Sequence, residues 1–214
     1  MNVQQKGSPG SAGKPAQTVP HDRGPEAEAR WVEAARGGDR DAFRRLVELH
    51  QAAVITAALY IAGSREDAED IAQETFLRAW RSLRGFAGES SFRTWILVIA
   101  ANAARSLGAH RKAKKRSGPE IRLDGAPGGE PLEVPARDVA GSPEQIAMRK
   151  ETKEAIETAI LGLDEQSRSL VVLRDILGES YEAIAATRGL ALGTVKSRIH
   201  RARMELRERL RKHL

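Results

Sequence analysis

Residues Ser180–Leu210, SYEAIAATRGLALGTVKSRIHRARMELRERL, decide the fold. Ser180 is a helix-starting residue whose hydroxyl can accept from an orphan N–H of the next turn. Tyr181, Ile184 and Ala185 follow at helical spacing, and Gly189 can take the left-handed conformation that ends a helix, with apolar Leu190 after it. A second helix carries Val195, Ile199, Ala202, Leu206 and Leu210 at three-to-four spacing, which predicts its inner face. Ser197, His200 and Arg201 fall on the opposite side, with Lys196 on the flank. From Gly189 to Leu214 there are eight Lys or Arg against two Glu. A short helix, a turn containing Gly and a longer basic helix match the helix-turn-helix, whose second helix enters the DNA major groove. A solvated basic face is the plainer alternative.

The whole chain agrees with a polyanionic partner. Its 214 residues carry a net charge of +6, which favours nucleic acid. With no cysteine, disulfides and thiolate metal sites are excluded, and a reducing compartment fits. The residues before Arg30 hold four Gly and four Pro without an apolar run, so no signal peptide is expected. No apolar run approaches the ~20 residues of a membrane span. We expect a soluble, cytoplasmic protein without membrane insertion.

Helical periodicity outside the decisive stretch predicts segments near Pro25–Arg36, from Asp39 or Asp41 to Gly63, from Ser64 to about Leu83, and from Phe92 to about Leu107. Phe43, Leu46, Val54, Ile55 and Leu59 are expected inward in the second of these; Ala68, Ile71, Ala72, Thr75 and Phe76 in the third. Trp80 and Trp95 also read as core. Six Lys or Arg without an acid follow from Arg105 to Arg116, then a Gly/Pro stretch, Ser117–Gly141, with no period. Ser142 before Pro143 looks like a cap, and Asp164 can cap a further helix that Gly178 ends. The expected fold is all-α, with two small helical domains on a flexible linker: a disordered extension at 1–28, a first domain at 29–113, the linker at 114–142 and the helix-turn-helix domain at 143–214.

The third helix is acidic in a basic chain. Asp70, Gln73, Glu74 and Leu77 recur at three-to-four spacing and share an outward face. Carboxylates in the first turn complement the helix dipole, which accounts for Glu66 and Asp67 but less well for Glu74. Carboxylates, an amide and an exposed Leu suit a basic helix of a protein partner. His50 and His110 lack ligand spacing, so no metal or other cofactor is expected.

The strings DAEDIAQETFLRAW (Asp67–Trp80) and FAGESSFRTW (Phe86–Trp95), with Asn102, resemble the promoter-melting domain of the extracytoplasmic-function sigma factors. LDEQSRSLVVLRDILGESYEAIA (Leu163–Ala185) and GTVKSRIHRAR (Gly193–Arg203) resemble their −35-reading domain. The family directs bacterial core RNA polymerase to particular promoters. The resemblance implies that Asp70, Gln73, Glu74 and Leu77 meet the clamp helices of the polymerase largest subunit, with the flap as a second contact for the chain. It implies that Gly88, Glu89, Ser90, Ser91, Phe92 and Asn102 capture an unpaired −10 base, with Arg93, Arg105, Arg111 and Lys112 on phosphates. Lys196, Ser197, His200 and Arg201 would read −35 base edges, while Arg174, Tyr181, Glu182 and Arg198 hold backbone or brace the turn. An anti-sigma partner is a further family expectation, and no catalysis is expected.

Some positions depart from the family pattern. Val98 stands where many members have Arg, Ala191 where many have Pro, and Ala183 where many have Glu; Leu163 lacks the usual following Pro. Two rival readings are a polymerase-independent helix-turn-helix regulator and a metal-dependent nuclease using the acidic cluster. The first leaves the acidic face and Asn102 without purpose; the second lacks groups to complete a site.

Overall fold

The structure, a computed structural model, describes residues 24–117 and 143–211, with side chains at 24–108 and 148–211. Most of the expected N-terminal extension and linker, the Ser142 cap, and the side chains of His110, Arg111 and Lys112 lie outside the described residues.

Four helices form the N-terminal half: α1 (Pro25–Arg36), α2 (Arg40–Ala62), α3 (Arg65–Ser82) and α4 (Phe92–Ser117), with a 3-10 turn at Leu83–Gly85. Four form the C-terminal half: α5 (Pro143–Leu161), α6 (Glu165–Val171), α7 (Tyr181–Arg188) and α8 (Leu192–Leu210). No strand occurs among the described residues.

The helix starts follow local chemistry. Pro25 occupies the first helical turn, where a missing N–H costs nothing. Asp39 Oδ1 accepts from Asp41 N at 2.8 Å and Ala42 N at 3.1 Å. Ser64, Asp164 and Ser180 cap α3, α6 and α7 in the same way. Gly189 has φ 62°, with Leu190 N donating to Ala185 O at 3.0 Å and Gly189 N to Ala186 O at 3.2 Å. That crossed pair closes α7 and sets the turn into α8.

Four features differ from the sequence reading. The extension expected to run to residue 28 is shorter, because α1 already begins at Pro25. Helix α4 continues ten residues beyond Leu107 and enters the expected linker at 114–117, because Ala, Lys and Arg there are good helix formers and no Pro intervenes. Helix α6 passes into a π-helical turn at Val172–Ile176, where Leu177 N donates to Val172 O five residues back. Ile55 is also exposed, because it lies off the buried stripe of α2.

The core of the N-terminal half is built from Leu46, Val54, Ile71, Leu83, Ile96 and Leu97, each nearly or fully inaccessible. Trp95, Phe86 and Phe92 form an aromatic group with ring centroids 5.0–6.1 Å apart, and Trp80 packs on Phe43 at 4.9 Å. The buried cluster continues into the C-terminal half through Ile160, Leu170, Leu173, Ile184, Val195 and Ile199. Where α2 meets α5 the backbone approach is close: a Cβ at Gly63 would come within 2.8 Å of a Leu161 methyl, and Gly63 has φ 80°. Arg168 of α6 donates to the carbonyl of Ile61 at 2.7 Å, of Leu163 at 3.0 Å and of Leu161.

Ile96→Ala should cost about 2–5 kcal/mol of unfolding free energy in urea titration, as for other fully buried large-to-small changes. His50 is buried, with Nε2 3.1 Å from Glu28 Oε1 and its ring 5.4 Å from Phe92. Burial pushes the imidazole below its ordinary value, outweighing the attraction of Glu28. The unfolded chain therefore binds the proton more readily, and stability should fall as pH drops through the ordinary histidine range. Thermal melts at pH 7.5 and 5.5 should show that loss, and His50→Gln should reduce it.

Candidate nucleic-acid interface

Helix α3 turns Ile71, Ala72 and Thr75 inward, which forces Asp70, Gln73, Glu74 and Leu77 onto its solvent side. Leu77 is 51% exposed and stands among the charges of this face. Glu74 accepts from Arg78 Nε at 2.6 Å one turn later, which orients the carboxylate without covering it. The acidic face expected from the spacing is present and open.

Gly88, with φ 75°, turns the chain between the 3-10 turn and α4. Glu89 and Ser91 are exposed and Ser90 is half-buried. Ser91 Oγ accepts from Thr94 N at 3.0 Å, so this hydroxyl is occupied in starting α4. Phe92 is 4% exposed inside the aromatic group, which corrects its reading as a DNA contact: it supports the loop from below. Val98 is likewise core. Three turns into α4, Asn102 is half-buried on the surface, and its Oδ1 accepts from Arg105 Nη2 at 3.1 Å.

In the C-terminal half, the stripe of Val195, Ile199 and Ala202 buries one side of α8 and leaves Lys196, Ser197, His200 and Arg201 exposed. Arg174 lies over the Tyr181 ring with its CZ 4.5 Å from the centroid and donates to Glu179 O at 2.9 Å. Glu182 pairs with Lys196 at 4.0 Å, while Arg198 donates to Gln166 Oε1 at 2.7 Å. Arg203 pairs with Asp175, which makes it a brace between α8 and the π turn. The basic face therefore has one guanidinium at each edge committed to packing.

The two halves meet over the start and middle of α4, where the −10 candidates Ser90, Arg93 and Asn102 meet Glu179, Thr187 and Arg188, residues that the sequence reading did not single out. Glu179, 8% exposed, accepts from Arg93 Nε at 2.9 Å and from Thr94 Oγ1. Arg93 also donates to Leu177 O at 3.1 Å. Thr187 Oγ1 lies 2.9 Å from Ser90 Oγ. Arg188 reaches Asn102 Oδ1 at 3.4 Å and Ser169 Oγ at 3.0 Å. Burial pushes the Arg188 guanidinium down to about 10, with Arg105 adding repulsion. Only a polar residue two positions before Tyr181 and a lone Arg closing α7 signalled this contact in sequence, and neither carries a motif.

Residues 46–116 match the family profile of sigma-70 region 2, and residues 153–206 match that of sigma-70 region 4. The chain is 35% identical over 182 residues to the RNA polymerase sigma-H factor of Pseudomonas aeruginosa, covering 83% of this chain and 91% of that one. It is 34% identical over 173 residues to the ECF RNA polymerase sigma-E factor of Salmonella typhimurium, covering 80% and 88%. A solved complex of the sigma factor RpoE with the anti-sigma factor NepR from Bartonella quintana superposes with TM-score 0.59 at 27% identity, over 79% of this chain and 96% of that one.

Proposed function

This chain belongs to the extracytoplasmic-function RNA polymerase sigma factors, and on that basis we propose how its surfaces divide the work of initiation. The observation that carries the proposal is the order of the two matched regions. Each lies on a half with a distinct charged face: acidic on α3 and basic on α8.

The α3 face of Asp70, Gln73, Glu74 and Leu77 grips the clamp helices of core polymerase. Carboxylates steer and register a basic helix, and the exposed Leu77 supplies the apolar contact. The N-terminal half, the −10-recognition domain, then holds the melted strand. An amide offers a donor and an acceptor to the edge of a flipped base, which suits Asn102, and extrusion costs only a few kcal/mol. Gly88, Glu89 and Ser90 line the approach, while Arg93 and Arg105 take phosphates, a salt-sensitive contribution.

The helix-turn-helix domain lays α8 in the major groove of the −35 element. Lys196 and Arg201 can reach guanine O6 and N7, and Ser197 and His200 can reach other edges. Arg174, Tyr181, Glu182 and Arg198 hold the helix at its working angle. The reading assigns the protein no chemistry of its own and requires no cofactor. The relative solved with an anti-sigma factor supports a partner of that class here. Work on polymerase places the protein in the cytoplasm, and among the described residues no helix is long and apolar enough to cross a membrane.

Wild type should co-elute with bacterial core RNA polymerase, and Glu74→Lys should not, while its binding to −35 duplex DNA is unchanged; equal co-elution would remove the α3 assignment. Asn102→Ala should keep core binding yet lower permanganate reactivity at −10 by about tenfold, the scale of one lost base contact of 1–3 kcal/mol.

A further inference from the structure

Helices α4, α6, α7 and α8 leave between them a cavity of about 210 Å³. Its polar wall is made of Asn102 and Arg105 from α4, Gln166 from α6, Thr187 and Arg188 from α7, and Arg198 from α8. Half of those side chains are guanidiniums, and no lining residue is an acid. Other arginines of this chain meet carboxylates: Arg78 has Glu74, Arg93 has Glu179 and Arg203 has Asp175. In the cavity the acceptors are neutral. Asn102 Oδ1 accepts from Arg105 Nη2 at 3.1 Å and from Arg188 Nη1 at 3.4 Å. Gln166 Oε1 accepts from Arg198 Nη1 at 2.7 Å, and Ser169 Oγ accepts from Arg188 Nη2 at 3.0 Å.

The cations are left short of counter-charge. The buried Nε of Arg188 has no acceptor, where buried polar groups ordinarily find one. Burial and the repulsion of Arg105 push Arg188 down to about 10, which still leaves it charged at neutral pH. Asp164 acts on Arg198 through space, but its carboxylate is committed to the first N–H groups of α6. Guanidiniums take oxyanions through paired N–H groups, so converging arginines without an acid suit an anionic ligand.

Size, charge and connectivity narrow the class. The volume lies below the ~300–1,000 Å³ of sites for drug-sized ligands, which leaves room for one or two phosphoryl groups. A strand phosphate brings about one negative charge, and two of its oxygens are esterified to the sugars on either side. A terminal phosphate brings about −1.5 to −2, offers three acceptor oxygens and enters from one side. We propose that this cavity binds the terminal phosphate or diphosphate of a small molecule, with Arg105, Arg188 and Arg198 as its counter-charges. Such a ligand joins α4 to α6, α7 and α8, and stabilises the fold in which those helices meet. The site does not depend on the division of surfaces proposed above.

Inorganic pyrophosphate is the probe. Isothermal titration calorimetry of the full chain at fixed ionic strength should show one saturable site, and the melting temperature should rise with pyrophosphate. Arg105→Gln, a change at an exposed position, should weaken binding by about tenfold or more, the scale of one lost charge-assisted hydrogen bond. Arg188→Gln, checked for its fold by circular dichroism, should do the same. Arg207→Gln, at an exposed arginine of α8 outside the cavity, should bind as wild type does. A thymidine trinucleotide with a 5′-hydroxyl, which carries only diester phosphates, should bind about tenfold more weakly than pyrophosphate. Absence of a saturable site, or equal losses in Arg105→Gln and Arg207→Gln, would overturn the proposal and leave only a general attraction to a basic chain. A trinucleotide that binds as tightly as pyrophosphate would overturn it too, and would assign the cavity to strand phosphates.

Discussion

Helix ends leave carbonyl groups that need donors, and in this chain one cation serves two of those ends. The guanidinium of Arg168 donates to Ile61 at the close of α2, to Leu161 at the close of α5, and to Leu163 in the turn that follows. A positive charge there also complements both helix dipoles. Burial lowers the pKa of the guanidinium, but an arginine so held stays charged at any pH where the protein is folded. The close approach at Gly63, where a side chain would strike Leu161, follows from the same convergence. The direction of α5, and with it the position of α6 to α8 over α4, is set from this corner.

Contacts of opposite character then hold the two halves. Apolar packing runs continuously from Leu46 and Ile96 to Ile184 and Ile199, while the rim is polar and charged. Such a boundary has the composition of an interface that can separate: a modest apolar centre surrounded by pairs that water can replace. The charge distribution sorts the surfaces by partner. Acidic α3 suits a protein with a basic helix, and basic α8 suits DNA, so neither face competes for the other's ligand.

Sequence periodicity carried most of the fold because it reports local constraints. Ser64, Asp164, Ser180 and Gly189 act within one turn of themselves, and their caps are where those residues predict them. The acidic and basic faces were legible for the same reason, since burial of Ile71 or Val195 leaves their opposite sides no other place to go. What pattern could not carry was anything decided by distant partners. Phe92 sits next to exposed Ser91 and reads as part of the same loop, yet Phe86, Trp95 and His50 claim it for the core. Glu179 lies 86 positions from Arg93, and no spacing rule reaches that far. The extension of α4 past Leu107 was not legible because no apolar period continues through the basic run, although Lys and Arg sustain helices well.

The π turn at Val172–Ile176 is a matter of phase. An α-helix advances about 100° per residue, so a wide turn holding one residue more than its α-helical equivalent rotates everything after it by that amount relative to what precedes it. Leu173 is buried before the rotation, and Asp175 emerges where it can meet Arg203. Removing a single residue from this turn would let it relax into ordinary helix, and would swing α7 and α8 around the α6 axis by more than a quarter turn. In related chains that differ here by one residue, identical helix-turn-helix sequences would face a different direction, so length at this turn, more than residue identity, governs how the second half is aimed.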